Sequence, residues 1–550
     1  MIKKFTLLLF VIGLSFPSLC LSADLGNIGS FQKWSKVEIA LTGPSRTATG
    51  EPNPFEDDLV SVTFTGPSGQ TYVVPGFYNG DNAGGVNGNK WVVRFAADEV
   101  GSWTFSSSSS TTELNGYTGT FTCTAASSSY NFFNWGRLEY TGTVANKIRY
   151  LKFRDGSYWM KAGCDDPENI LGSFSNYDTQ AERETALDYL SSKGINSFYI
   201  MVNNIDGDAN DVWPWMGSTS SGAKAYGVTG NVRFNISKLK DWDDLFLYAN
   251  QKGIAVYMIM EDDSQWTFFD YSMLYREMVA RFGYLPGLIF NLGEEWIESH
   301  PAWPSEAQTY ATLLANTDPY GHPIAVHNKY NTTTADEGYL GLSGVDMTSI
   351  QTDDPYNDFP ALIDNWISRA ETMGKRIPVM NFDEGRPVND RAQWWEAYIS
   401  GGIWEAHIPK GGGTYNHPID YWDDGSTYKI WTELGGARKF MEMFQFWNMK
   451  ANNSLVTAGT AYCLENPEIE YALYLPSGGN ITVNLPAGSY SYGWWDPSNG
   501  YSGSLQNAGK ISGGSQQLLS PGTGDWALRI YSSIHAPTIT GVTAQPPVSK

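Results

Sequence analysis

The feature that most constrains this chain is a rhythm running through its middle. Apolar, strand-like runs alternate there with amphipathic stretches that end in glycine. Eight such runs occur in order, at residues 158–164, 197–202, 254–260, 288–293, 324–327, 346–351, 378–382 and 402–407. Between several of them apolar residues recur at helical spacing, over 181–193, 239–252, 271–282 and 362–373, each followed by a glycine: Gly194, Gly253, Gly283 and Gly374. Alternating strands and helices point to an α/β fold built on parallel strands. Glycine just past the last periodic residue is a helix stop. Eight repeats of the pair predict a closed (β/α)8 TIM barrel. An open doubly wound sheet is the alternative, but no GxGxxG follows the first strand.

The flanks have a different rhythm. Short alternating runs at 36–42, 59–65, 90–95 and 101–106, separated by Gly, Pro, Asn and Ser, predict an N-terminal β-sandwich over 24–130. The Ser/Thr-rich stretch 106–112 reads as a hairpin loop. Runs at 471–475, 481–485, 490–495 and 526–531 predict a C-terminal β-sandwich over 453–534, with a Pro/Thr-rich tail at 535–550. The barrel takes 131–452. Lys3 and Lys4, an apolar run at 5–14 and the small residues Ser22 and Ala23 read as a signal peptide over 1–23. The expectation is a secreted protein, extracellular or periplasmic. The apolar run is too short to span a bilayer, and Leu19 before Cys20 is the wrong size for a lipoprotein cleavage box. No later segment reads as a transmembrane helix.

Composition excludes some partners. There are 36 basic and 58 acidic residues, a net charge of −22. Phosphate binding wants a basic surface, so nucleic acid is not expected. Aromatic residues make up 14 %, with 21 Trp and 32 Tyr, which fits β-rich domains or rings that stack on sugars. Cleavage would leave Cys123, Cys164 and Cys463, too far apart for a disulfide framework or a zinc site, and expected as buried thiols. The acidic run Glu261, Asp262 and Asp263 lacks the spacing of a calcium loop. Neither a metal nor a cofactor is expected.

In a barrel of this kind chemistry sits where strands end, on the C-terminal face. The fourth run ends in Asn291-Leu292-Gly293-Glu294-Glu295-Trp296, and the seventh in Asn381-Phe382-Asp383-Glu384-Gly385-Arg386. Two carboxylates facing one bond are what glycoside hydrolysis requires: one protonates the leaving oxygen, and the other attacks the anomeric carbon or activates water. Glu294, Glu295 and Glu384 are therefore the candidate catalytic residues. Other strand ends contribute candidate substrate contacts: Asp165, Asn204, Glu261, His327, Asn328, Trp296, Arg386, Trp404 and His407. A ring of hydroxyl partners with aromatic platforms beside them suits a carbohydrate. Lys329, Arg386 and Lys410 would suit a sulfated or uronate-bearing substrate, or else orient neighbouring carboxylates.

These residues resemble a family. The middle of the chain is similar to the retaining glycosidases of clan A, barrels with an acid/base glutamate at the end of strand four and a nucleophile at the end of strand seven. Leu292-Gly293-Glu294-Glu295 matches the strand-four frame, in which Glu295 falls on the acid/base position and Glu294 replaces the usual Asn. Glu384 falls on the nucleophile position, and Trp404 matches an aromatic that lies beneath the bound sugar. Asn53-Pro54-Phe55, Val74-Pro75-Gly76-Phe77-Tyr78 and Trp91-Val92-Val93-Arg94-Phe95 resemble a sandwich module of unknown function found before such barrels. Trp494-Trp495-Asp496-Pro497 and Gly524-Asp525-Trp526 resemble the collagen-binding-type domain that follows the barrels of apiosidase-like glycosidases. The resemblance implies a retaining glycoside hydrolase acting on a plant or algal polysaccharide or its oligosaccharides. A carbohydrate- or matrix-binding protein with a degenerate barrel is the alternative, although a pure binder has no need of the carboxylate pair. A polysaccharide lyase with His327 or Tyr330 as base is a third reading.

Overall fold

The computed structural model describes residues 23–164, 170–172, 177–205, 212–261, 269–294, 296, 304–327, 340–351, 358–383, 391–406, 419, 423 and 429–533. The signal-peptide stretch and the C-terminal tail lie almost wholly outside these. So do Asp165, Glu295, Asn328, Glu384, Arg386 and His407.

Eight parallel strands close into a barrel: Ala162–Cys164, Ser197–Met201, Ala255–Ile259, Leu288–Asn291, Ile324–His327, Met347–Gln351, Val379–Asp383 and Ile403–Ala406. Closure is made by the first strand against the eighth, with Ala162 opposite Trp404, Gly163 opposite Glu405 and Cys164 opposite Ala406. The open-sheet alternative is thereby excluded. Helices Gln180–Lys193, Ile236–Gln251, Tyr271–Phe282, Ser305–Thr317, Phe359–Thr372, Arg391–Ser400 and Ile430–Met441 alternate with the strands. The first of them shows why such helices begin and end where they do. Thr179 and Glu182 form a reciprocal capping box at its start, and Gly194, at φ 90°, takes the left-handed turn that ends it. A short hairpin, Leu138–Tyr140 with Leu151–Phe153, lies at the N-terminal end of the barrel, where Leu138 N donates to Pro286 O at 3.1 Å.

The N-terminal domain pairs a five-stranded sheet with a three-stranded one. The larger runs Asp24–Gln32, Thr118–Thr124, Gly101–Ser109, Val60–Thr65, Thr71–Pro75, and the smaller Lys36–Thr47, Asn87–Ala96, Phe77–Tyr78. Phe64 and Phe95 stack between them with ring centroids 4.2 Å apart. The stretch expected as a Ser/Thr loop is instead largely strand. Ser106 to Ser109 pair with Thr63 to Val60, and Ser107 Oγ donates to Leu114 O at 2.7 Å. The C-terminal strands Lys450–Ala451, Tyr462–Asn466, Glu470–Leu475, Trp526–Ser532, Gly478–Trp495, Val456–Ala458 and Gln506–Thr523 join in one sheet around Tyr471, Leu473, Val483, Trp494, Leu528 and Ile530. Cys123, Cys164 and Cys463 are free and buried. Burial pushes the Cys123 thiol up to about 11, against the small opposing effect of Lys33. No helix among the described residues is long and apolar enough to cross a membrane.

Candidate active site at the strand ends

Inside the barrel alternate residues of each strand point to the axis. Here several of those positions are polar. Lys161 Nζ donates to Asn381 Oδ1 at 2.7 Å and pairs with Glu405 Oε2. Asn381 Nδ2 donates to Glu405 Oε2 at 3.2 Å and reaches Ser349 Oγ at 3.4 Å. The ammonium also lies 4.6 Å from the centre of the Tyr257 ring. Lys161 and Glu405 are fully buried. A glycine at 163 makes room for the pair, because a Cβ there would stand 3.0 Å from both Glu405 Cγ and Lys161 Cε.

Tyr257 carries the network to strand four. Its hydroxyl accepts from Asn291 Nδ2 at 3.1 Å, while Asn291 Oδ1 accepts from Gly293 N at 3.2 Å and His327 N at 3.1 Å. One amide therefore ties the ends of strands four and five together. The next turn of chain is set by Gly293, whose Cβ would lie 2.6 Å from Glu261 Cγ. The close approach lets Glu294 N donate to Glu261 O at 3.0 Å. The Glu294 carboxylate then sits 4.0 Å from His327 Nδ1, with both residues buried. Glu261 is buried too and accepts from the Tyr271 hydroxyl. Burial first, and the Glu261 charge second, hold Tyr271 and Tyr275 well above the ordinary phenol value, so both stay neutral.

The structure thus brings Glu294, His327 and Glu261 together at the ends of strands three to five. Asn204 is at the end of strand two, fully buried, with Nδ2 at 3.1 Å from Met201 Sδ. Its neighbour Asn203 accepts from Trp215 Nε1 at 3.2 Å. The two tryptophans need correction. Trp404 was expected beneath a sugar, but Glu405 is the residue of that strand that faces the axis. Trp404 points to the helix layer, 5.5 Å from Phe359 edge to face and stacked 6.5 Å from Phe382. Trp296 is fully buried, edge to face with Tyr310 at 5.5 Å. Neither ring offers an open face.

The sequence offers Lys161 and Glu405 as polar groups of the first and eighth runs and Asn381 in the seventh; the structure gathers them into one buried cluster. Its signal is a polar residue inside each apolar run, as in Met160-Lys161-Ala162 and Trp404-Glu405-Ala406. Among the described residues no group of three or more His, Cys, Asp or Glu side chains is arranged to hold a metal. Chemically, the mouth presents the Glu294 carboxylate after strand four beside the His327 imidazole of strand five, amides after strand two, and a polar layer beneath. Strand seven ends at Asp383, one residue before Glu384.

Comparison with known proteins gives the same architecture. A family model described as a domain of unknown function, DUF5060, matches residues 30–110. No curated protein matches. A crystal structure from Bacteroides vulgatus, named as a candidate glycoside hydrolase, is similar over 92 % of this chain and 99 % of its own, with TM-score 0.68 and 16 % identity. A family 5 glycoside hydrolase from the same organism covers 72 % of this chain and 94 % of its own, with TM-score 0.55 and 15 % identity. What these likenesses establish is the fold: an eight-stranded parallel barrel carrying additional β-sheets.

Proposed function

We propose that this chain is a glycoside hydrolase that cleaves O-glycosidic bonds of a plant or algal polysaccharide, or its oligosaccharides, with retention. Glu384 is the nucleophile, and the Glu294–Glu295 pair supplies the acid/base, with Glu295 first. The observation that carries this reading is a closed barrel with Glu294 buried beside His327 after strand four, and a strand seven that the sequence continues into Glu384. The similar structures named as glycoside hydrolases support it. So does the order of a β domain, a closed barrel and a second β domain along the chain. The signal-peptide pattern of residues 1–23 supports export.

In the mechanism proposed, the acid/base protonates the departing oxygen while Glu384 attacks the anomeric carbon. The glycosyl–enzyme ester is then hydrolysed by water that the same acid/base deprotonates. The two carboxyl groups would stand about 5 Å apart, the spacing for a covalent intermediate. The test is Glu384→Gln assayed for reducing-sugar release over a panel of plant and algal polysaccharides. We expect a loss of at least about a thousandfold, with glycosyl azide formed when azide is added. Undiminished hydrolysis by that variant would overturn the assignment.

A further inference from the structure

Two of the contacts that the N-terminal sandwich makes with the barrel bear on the site. One is on the barrel's side, where Arg94 pairs with Asp243 at 3.0 Å and Arg281 donates to Tyr78 O at 3.1 Å. The second is at the barrel mouth. There the sandwich segment 50–57 reaches the long loop that follows strand two.

The contact has an aromatic centre and a polar surround. Phe55 lies edge to face with Phe234 at 5.6 Å, and Phe234 stacks on Trp215 at 4.8 Å. Trp215 in turn stacks with Phe269 at 5.7 Å and donates its indole N–H to Asn203. Around this column Asn53 Nδ2 donates to Val232 O at 3.0 Å, Gly230 N to Glu56 Oε1 at 2.8 Å, and Arg233 Nη1 to Gly50 O at 2.8 Å. Phe55, Phe234, Trp215 and Asn203 are all at most 3 % exposed.

The loop needs such support. Over 212–235 its one regular element is the helix Ser220–Ala225. Within it, Met216 N donates to Arg233 O and Asn235 N to Pro214 O, each at 2.8 Å. It also holds the strand-three loop, since Thr229 Oγ1 donates to Asp270 Oδ2 at 2.9 Å. Loops of this length without packing partners open easily. The Phe55 column connects the sandwich to Asn203, two residues beyond strand two.

We propose that the N-terminal sandwich is a positioning element of the site, with Phe55 the wedge that fixes the 212–235 loop and, through Trp215, the Asn203 side chain. The strand-two wall of the substrate cleft is then set by a domain outside the barrel, and Phe55 acts on substrate binding through other residues. The part that concerns substrate rests on the hydrolase reading above; the part that concerns the loop does not.

The experiment uses the full chain with Phe55→Ala, Arg233→Ala as a second route to the same contact, and Val73→Ser at an exposed sandwich position as control. Amide hydrogen exchange is followed in all three. Phe55→Ala and Arg233→Ala should each speed exchange at Met216, Asn231 and Asn235 by about tenfold or more, leaving the sandwich core at Val62 and the barrel at Tyr257 within about twofold. On the panel polysaccharide the parent hydrolyses best, KM should rise about fivefold or more with kcat within about twofold. Unchanged loop exchange in folded variants overturns the proposal. So does exchange raised across the whole sandwich, which would make Phe55 a core residue of that domain alone. If no polysaccharide is hydrolysed, the hydrolase reading fails while the exchange result still decides the loop.

Discussion

Lys161 and Glu405 are charged, fully buried and in contact. Burying two ions is costly, and the cost is met here by mutual attraction, the Asn381 amide and the Tyr257 ring face. The arrangement predicts an asymmetry between single and double changes. Lys161→Met leaves the Glu405 carboxylate buried without its cation, and should cost about 3–5 kcal/mol. Lys161→Met combined with Glu405→Leu removes both charges and should recover more than half of that loss. Urea unfolding of the two variants checks this. Equal losses would mean that the unpaired Glu405 carboxylate is not what destabilises the single variant. Because Asn381 lies on the strand that leads to Glu384, the double variant should recover stability without recovering turnover.

At the scale of elements, the passage from a helix into the next strand is fixed by short polar turns. Asp318 follows helix Ser305–Thr317 and precedes strand five. Its carboxylate accepts from Tyr320 N at 3.1 Å and His322 N at 2.7 Å, and lies 3.0 Å from His322 Nδ1. Burial by itself raises the pKa of this carboxyl, but the His322 ring and the two backbone donors outweigh it, and the net direction is down. A depressed carboxyl stabilises the fold above its unfolded-state value, and that contribution is lost as pH falls through the folded-state value. Asp318→Asn should therefore cost about 2–3 kcal/mol at neutral pH. The gap between parent and variant should shrink on acidification below about pH 4. Urea denaturation at a series of pH values reads that gap; a gap constant down to pH values near 2 would show that the carboxylate charge is not what matters. Elements such as strand five and helix Tyr271–Phe282 are where their apolar runs place them, since a continuous apolar run and a glycine stop are local signals. The orientation of strand eight is not local. Both faces of a barrel strand are buried, so the alternation of Trp404 and Glu405 does not by itself say which of them turns inward. Nor could the Ser-rich run be read as strand: its pairing partner Val60–Thr65 lies far back in the chain, and tertiary pairing overrides serine's weak β preference. The same holds for Phe55 and Phe234, which meet only because two domains fold against each other.

The whole molecule is held as one body by contacts that reach across domains, and the C-terminal sheet shows how tightly. Arg391 binds Asp525 through Nε at 2.8 Å and Nη2 at 2.6 Å, and Glu433 through Nη1 at 2.7 Å. Trp395 of the barrel stacks flat on Tyr474 of the sheet at 5.5 Å. Two adjacent glycines on helix Ile430–Met441 allow the backbones to touch. A Cβ at 435 would fall 1.8 Å from Lys193 O, and one at 436 would fall 1.8 Å from Asn499 O. Glycine to alanine inside a helix ordinarily stabilises by about 0.5–1 kcal/mol. At Gly436 the sign should reverse, because the methyl meets a backbone carbonyl that cannot rotate away. The expected net loss for Gly436→Ala is about 2 kcal/mol or more. Because Asn499 lies in the loop joining strands Gly478–Trp495 and Gln506–Thr523 of the C-terminal sheet, that loss should appear as earlier release of this sheet, with the barrel's own unfolding little changed. Calorimetry should then show a second, lower transition absent from the parent chain. Proteolysis should cut first between helix Ile430–Met441 and strand Tyr462–Asn466. If the variant instead unfolds in one transition at or above the parent's temperature, the C-terminal sheet is not held by this close approach, and its attachment rests on the Arg391 and Trp395 contacts.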